Sequence, residues 1–215
     1  MRILFILMVG TATTTTEDAG RFPVVLASPE GIEALFETSS GGLQWTALRD
    51  RHTGREWRIG GPRFSVQTLD GARTNLGDVG FRHWNEESRN GRPVVILQTS
   101  LQRPRMEVQQ VFSFCDDGRT LRIQTRLRAT DRTVTLHRVG LLELRVEGQS
   151  FRLTGPELVS SPVFGNDVFG GIEHPSAWCQ AAGDAFWIAQ YSYLNLGTNW
   201  AGTPSAVFGC AGKVS

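Results

Sequence analysis

One short segment of this chain brings together residue types that could do chemistry. It reads Phe-Gly-Gly-Ile-Glu-His-Pro-Ser-Ala-Trp-Cys over residues 169–179 and sets the carboxylate of Glu173 beside the imidazole of His174. Both residue types can transfer protons near neutral pH. Adjacent side chains of an extended segment point apart, so we do not expect these two to act together on one substrate atom.

The same segment also has a purely structural interpretation. The two glycines before Ile172 allow an unusual backbone path, and Pro175 fixes the direction of the chain after it. Glu173 would then accept hydrogen bonds from backbone N–H groups within a loop. From the residues alone, the structural and the functional interpretation both stay open.

Patterns for binding a metal or a cofactor are weak. Asp167, Glu173 and His174 offer oxygen and nitrogen ligands, but one histidine with scattered carboxylates is not a ligand set. The chain also has no glycine-rich phosphate loop and no nucleophile elbow. The sequence therefore predicts neither a metal site nor a cofactor.

The cysteines do not change that prediction. Cys115, Cys179 and Cys210 are 64 and 31 residues apart, and these spacings match no zinc-ligand pattern. Because their number is odd, at least one thiol stays outside any intramolecular disulfide. A Cys179–Cys210 bridge in an oxidising compartment and buried free thiols are both compatible with the sequence.

Composition excludes some classes of partner. The 215 residues are 40% hydrophobic and 20% charged, an ordinary balance for one sizeable globular domain. The formal net charge is +1, so no strong field attracts nucleic acid or an anionic membrane surface. We therefore expect neither nucleic acid nor a membrane as a partner.

The N-terminus predicts export. Arg2 is followed by a run of seven apolar residues, Ile3 to Val9, and then by a small-x-small segment, Gly-Thr-Ala. Spanning a bilayer takes about 20 helical residues, so this run is too short to cross one, but it fits the core of a signal peptide. We predict a signal peptide over residues 1–12, a flexible spacer over 13–21, and a secreted or periplasmic protein.

Most of the chain has the alternating pattern of antiparallel strands. From Leu121 to Ala129, apolar residues take one face while arginine and glutamine take the other. Turn signals such as Asp116-Asp-Gly recur along the chain and imply about ten strands or more. One sheet of that size would expose too much apolar surface. We therefore predict an all-β fold, a large antiparallel β-sandwich of two sheets.

Residues 155–183 interrupt this pattern. The stretch is rich in Gly, Pro, Ser and Asn, yet it holds several large apolar side chains, Trp178 among them, and is too apolar for disorder. Long ordered loops are often functional. We predict a loop over one end of the sandwich, followed by strands over 184–191 and 205–209.

Three segments carry a family resemblance. Residues 40–57 contain a Gly-Leu strand, an Asp-x-x-Thr-Gly turn and then Glu-Trp; residues 169–175 read Phe-Gly-Gly-Ile-Glu-His-Pro; and residues 206–212 read Ala-Val-Phe-Gly-Cys-Ala-Gly. In order and spacing they resemble the N-terminal β-supersandwich domain of α-galactosidase-like glycoside hydrolases. That domain is related in fold to galactose mutarotase.

The resemblance implies a domain organisation. It places a supersandwich over residues 22–212 and makes 213–215 the start of a linker to a catalytic (β/α)8 barrel that is absent from this chain. In that family the two catalytic aspartates lie on the barrel, so the resemblance assigns no catalytic residue here. The complete enzyme would hydrolyse terminal α-linked galactose or a similar sugar with retention, through two carboxyl groups.

The resemblance also implies a role for the segment described first. A loop facing the barrel would let Glu173 or His174 rim the sugar pocket, where a carboxylate can accept hydrogen bonds from sugar hydroxyls. Trp178 could offer a stacking surface, and Asp167 is a further candidate substrate-binding residue. Carbohydrate and the barrel are therefore the expected partners.

Two other functions stay open. A free-standing carbohydrate-binding module would show a polar groove lined by Trp178, whereas a domain packed on a barrel would show a large exposed apolar patch. An aldose epimerase-like enzyme would need an acid and a base on either side of a sugar ring. Its imidazole would have to come from His52, His83, His137 or His174.

Overall fold

The computed structural model of this protein describes most of the chain, namely residues 24–39, 42–75, 83–89, 91–155, 161–173 and 177–210. The predicted signal peptide, spacer and linker lie outside these residues. Within the described ranges, no helix has the length and apolar character that crossing a membrane requires.

The described residues form seventeen strands. In chain order these are β1 (Val24–Ala27), β2 (Ile32–Ser39), β3 (Gly42–Asp50), β4 (Glu56–Thr68), β5 (Arg73–Asn75), β6 (His83–Arg89), β7 (Arg92–Gln102), β8 (Arg105–Phe114), β9 (Thr120–Ala129), β10 (Val134–Val146), β11 (Arg152–Leu153), β12 (Val163–Phe164), β13 (Val168–Ile172), β14 (Ala177–Ala182), β15 (Ala185–Leu196), β16 (Ala201–Gly202) and β17 (Ala206–Cys210).

Two antiparallel sheets contain all of these strands. The eight-stranded sheet has the order β1-β2-β3-β4-β10-β15-β14, with β5 beside β4. The nine-stranded sheet has the order β11-β12-β13-β17-β9-β8-β7-β6, with β16 beside β9. This architecture confirms the predicted two-sheet β-sandwich. In β9 the alternation holds as predicted, since Leu121 and Ile123 are buried while Arg122 is exposed.

A chain of aromatic rings fills the space between the sheets. Phe36 and Trp45 of the eight-stranded sheet meet Phe112 of the nine-stranded sheet edge-on, with ring centroids 5.1 and 6.0 Å apart. Phe208 lies 5.5 Å from Trp45 and 6.2 Å from Phe186. All five rings are buried. One continuous core therefore joins both sheets.

Strand β4 changes its partner partway along, from β3 to β10. Where it leaves β3, Arg63 has a φ of 60°. The guanidinium of Arg63 donates to the main-chain carbonyls of Trp45, Ile59 and Gly61 at 2.6, 3.0 and 3.2 Å. The Arg63 side chain thus links the main chains of β3 and β4 at this point.

The prediction of a loop over residues 155–183 is wrong where the described residues form the strands β12, β13 and β14. Strands β12 and β13 belong to the nine-stranded sheet, where β13 pairs with β17. Strand β14 pairs with β15 in the eight-stranded sheet. The segment rich in small residues therefore contributes strands to both sheets. The two strands predicted after it correspond to β15 and β17.

The three cysteines are free thiols. Cys179 and Cys210 are buried on β14 and β17, which belong to different sheets. Burial raises the pKa of the Cys179 thiol to about 11. The bridge that the sequence left open is not formed, and the buried thiols stay neutral at physiological pH.

Candidate functional site

The glycines of the segment Phe169–Cys179 serve packing and not an unusual backbone path. Gly170 lies within β13, opposite Phe208 of β17. A Cβ atom at Gly170 would lie 2.6 Å from the ring of Phe186, and one at Gly171 would lie 3.3 Å from Val207. These glycines therefore have a structural role, but not the unusual backbone path expected from the sequence. They let a core ring and a neighbouring side chain approach an extended strand.

Glu173 lies just beyond β13 on the outer face of the nine-stranded sheet. Its Oε1 accepts hydrogen bonds from Nε and Nη2 of Arg122 at 3.1 and 2.6 Å. Its own N–H donates to the carbonyl of Ser205 at 3.0 Å. The hydrogen bond to Glu173 raises the pKa of Arg122. The carboxylate thus pairs with an arginine and not with the backbone N–H groups expected from the sequence.

Asp167 lies at the other end of β13. Arg55 donates to both of its carboxylate oxygens, with Nη1 to Oδ1 at 3.0 Å. Gln149 exchanges two hydrogen bonds with it, from Nε2 to Oδ2 at 3.2 Å and from the Asp167 N–H to Oε1 at 3.1 Å. Asp167 and Glu173 are six positions apart along extended chain, or roughly 20 Å. The two carboxylates therefore cannot bind one sugar unit together.

Trp178 belongs to the other sheet. On β14 the side chain of Cys179 is buried, while those of Trp178 and Gln180 are partly exposed on the outer face of the eight-stranded sheet. Glu173 faces outward from the opposite sheet, and His174 lies outside the described residues. The structure therefore does not bring Trp178, Glu173 and Asp167 into one site.

The sequence analysis did not predict a buried ion cluster that lies on the eight-stranded sheet. Glu143 of β10 has a fully buried side chain and lies 2.7 Å from Nη2 of Arg138, whose side chain is 9% exposed. Its other carboxylate oxygen pairs with Arg73 of β5. A Cβ atom at Gly140 would lie 2.3 Å from Oε1 of Glu143 and 2.5 Å from Oγ of Ser65, so the carboxylate folds over that glycine.

A signal for this cluster was present in the sequence. Glu143 interrupts the apolar run Leu-Leu-Glu-Leu over residues 141–144, where an unpaired charge would be costly. Such a charge predicts a nearby partner. The partner Arg73, however, is 70 residues away from Glu143 in the sequence. Only the pairing of β4 with both β5 and β10 places it beside Glu143.

The described part of the chain contains no candidate metal site. There, no three His, Cys, Asp or Glu side chains are grouped so that they could hold a metal ion. The prediction that the protein uses no cofactor stays a prediction.

Comparison with known proteins finds similarity only in fold. No protein-family model and no curated protein matches this chain. The galactosidase domain of an α-galactosidase–sucrose kinase aligns with a TM-score of 0.57, 7% identity and 87% of this chain covered. A glycoside hydrolase family 36 α-galactosidase from Geobacillus stearothermophilus, solved with raffinose, aligns with a TM-score of 0.55, 9% identity and 88% covered.

A galactose mutarotase-related enzyme from Lactobacillus acidophilus aligns with a TM-score of 0.49 and 7% identity, over 89% of this chain and 98% of that one. The two galactosidase alignments confirm the fold that the sequence resemblance implied, the β-supersandwich of α-galactosidase-like enzymes. This chain spans 40% of each galactosidase chain. At these identities the alignments establish architecture and assign no role to any side chain.

Proposed function

We propose that this chain is a non-catalytic domain of an exported α-galactosidase-like glycoside hydrolase, which packs against a catalytic barrel and lends a segment to the sugar pocket. The observation that carries the proposal is the unequal coverage of the two galactosidase alignments. They take in 87% and 88% of this chain but only 40% of each galactosidase. More than half of each galactosidase therefore lies outside this architecture and is available for catalysis.

The state of the candidate carboxylates supports a binding role over a catalytic one. Retaining glycosidases use two carboxyl groups about 5–5.5 Å apart. Asp167 and Glu173 lie at opposite ends of β13, and each pairs with an arginine, Arg55 and Arg122 respectively. Catalysis would then come from the barrel, with retention at a terminal α-linked galactose or a similar sugar.

Glu173 retains the capacity to bind a sugar while paired. Both hydrogen bonds from Arg122 go to Oε1, and no described residue donates to Oε2. The side chain is 44% exposed. Oε2 could accept a hydrogen bond from a sugar hydroxyl while Arg122 holds the carboxylate in position.

The contact with the barrel would be largely polar. Among the described residues, the large hydrophobic side chains with the greatest exposure are Val25, Leu69 and Phe164. They lie on β1, after β4 and on β12, so they do not make up the large apolar patch expected from the sequence. Interfaces between domains of one chain are commonly more polar than obligate interfaces between subunits.

The test begins with the coding DNA beyond residue 215 and continues with the full-length protein. We expect an open frame that encodes a barrel with paired aspartates at strand ends, and hydrolysis of a p-nitrophenyl α-galactoside by the full-length protein only. A stop codon directly after Ser215 in the native gene, or hydrolysis by this chain alone, would contradict the proposal.

The role of Glu173 is tested in the same full-length enzyme. Glu173→Gln should raise KM for the galactoside by about tenfold, the effect of losing roughly 1.4 kcal/mol of binding, with little change in kcat. Glu87→Gln is the matched control, because Glu87 is a similarly exposed glutamate paired with Arg89 on the edge strand β6. Equal KM values for both variants would argue against a pocket contribution from Glu173.

A further inference from the structure

The outer face of β10, β15 and β14 gathers an unusual set of side chains. Glu143 lies opposite Trp187, and Trp187 lies opposite Gln180, so these three form one row across the strands. The side chains that flank Trp187 in β15, Phe186 and Ile188, are buried in the core. Trp187 is only partly buried and therefore faces outward.

A second row runs beside the first and is built from small side chains. Ser65, Gly140 and Ala189 follow one another across β4, β10 and β15, and Trp178 ends the row on β14. Each of the first three is buried. Because Ala189 is 0% and Ser65 1% exposed although they lie on the outer side of the sheet, other side chains cover this row.

The two tryptophans of these rows are diagonal neighbours. Trp187 pairs with Gln180, which stands two residues after Trp178 on the same strand. Diagonal positions on adjacent antiparallel strands are about 7–8 Å apart, within reach of aromatic side chains. The two partly exposed indoles can therefore contact one ligand, with the amide of Gln180 beside them.

The ion cluster gives this face a fixed polar wall. Glu143 is held between Arg138 and Arg73, and the side chain of Arg73 is 39% exposed. A buried ion pair is no stronger than well-packed apolar residues of similar volume. Stability therefore does not explain the cluster, which holds Glu143, the cross-strand neighbour of Trp187, in one position.

We propose that this face, made by Trp178, Gln180 and Trp187, binds a neutral saccharide. The apolar C–H face of a pyranose ring packs on an indole, while the amide group pairs with its hydroxyls. A protein partner would instead favour a contiguous apolar patch, and the large exposed hydrophobics of the described chain lie on other elements. The inference goes beyond the proposed function, since it concerns the other sheet and needs no barrel.

The experiment measures binding to the isolated chain by titration calorimetry. The probes are a panel of neutral hexoses and oligosaccharides that includes D-galactose and raffinose. Wild type should bind at least one of them, and Trp187→Ala should weaken that binding by about tenfold or more, equivalent to ~1.4 kcal/mol. Gln180→Ala, at a partly exposed position, should weaken it in the same direction and guards against misfolding of the tryptophan variant.

Trp200→Ala is the matched control. Trp200 is also partly exposed, but it pairs with Arg128 of the nine-stranded sheet, 4.7 Å from ring centroid to guanidinium carbon. Its substitution should leave affinity unchanged. The proposal is overturned if folded wild type binds no sugar of the panel, or if Trp200→Ala weakens binding as much as Trp187→Ala. Neither result bears on hydrolysis by the full-length protein, so the two proposals fail separately.

Discussion

Glu143 is the residue whose substitution the structure predicts most firmly to destabilise the fold. Its side chain is fully buried and that of Arg138 is 9% exposed, so Glu143→Gln would leave a buried guanidinium without its counter-charge. Breaking a buried pair in this way costs about 3–5 kcal/mol of the free energy of unfolding. Urea denaturation of wild type and variant measures the loss.

The control for this measurement is an exposed pair. Glu87 and Arg89 are 41% and 39% exposed, and such pairs contribute about 0–1 kcal/mol. Glu87→Gln should therefore leave the unfolding midpoint almost unchanged. Similar losses for the two glutamates would show that the Glu143 cluster is solvated and not buried.

The Asp117 carboxyl group should make the free energy of unfolding depend on pH. Burial raises its pKa, but hydrogen bonds from the Thr120 hydroxyl and from the N–H groups of Arg119 and Thr120 outweigh this, so the net pKa is lowered. A carboxyl whose pKa is lower in the folded chain than in the unfolded chain stabilises above the unfolded value, about 3.9, and this contribution is lost as pH falls through the folded value.

The measurement for Asp117 compares wild type with Asp117→Asn across pH. The variant should be less stable at pH 7, and the difference in free energy of unfolding should shrink as pH falls below about 4. Asp116→Asn is the control, because the Asp116 side chain is 87% exposed. A difference for Asp117→Asn that stays constant from pH 7 to acid would contradict the assignment.

At the scale of single strands, a substitution at Gly170 tests why β13 contains glycine at that position. Gly170→Ala places a Cβ atom 2.6 Å from the buried ring of Phe186. Overpacking of this kind typically costs about 1–3 kcal/mol. Gly202→Ala on β16 is the matched control, because nothing lies within 4 Å of the Cβ it would add. If both variants melt at the same temperature as wild type, the close contact with Phe186 does not constrain β13.

Strands with a strict local alternation could be predicted from the sequence, whereas those shaped by distant contacts could not. The alternation of β9 follows from period-two burial alone. In β13, the glycines look like turn residues unless the position of Phe186 is known. The partners of the candidate site are equally remote, since Glu173 and Arg122 are 51 residues apart. Trp178 and Trp187 become neighbours only through the register of β14 with β15.

At the scale of the whole molecule, the shared aromatic core predicts that both sheets unfold together. Trp45 of the eight-stranded sheet contacts Phe112 and Phe208 of the nine-stranded sheet, and all three are buried. Neither sheet can therefore separate without exposing these rings. Tryptophan fluorescence and far-UV circular dichroism should report one coincident transition in urea.

Phe208→Ala tests this coupling directly. Phe208 is fully buried on β17 and contacts rings of the opposite sheet, Trp45 at 5.5 Å and Phe186 at 6.2 Å. Its truncation should lower the free energy of unfolding by about 3–5 kcal/mol while keeping one transition, because the cavity lies between the sheets and weakens both. Two separated transitions in the variant would mean that each sheet keeps a core of its own. The chain would then need a partner such as a catalytic barrel, and not its own core, to hold the sandwich together.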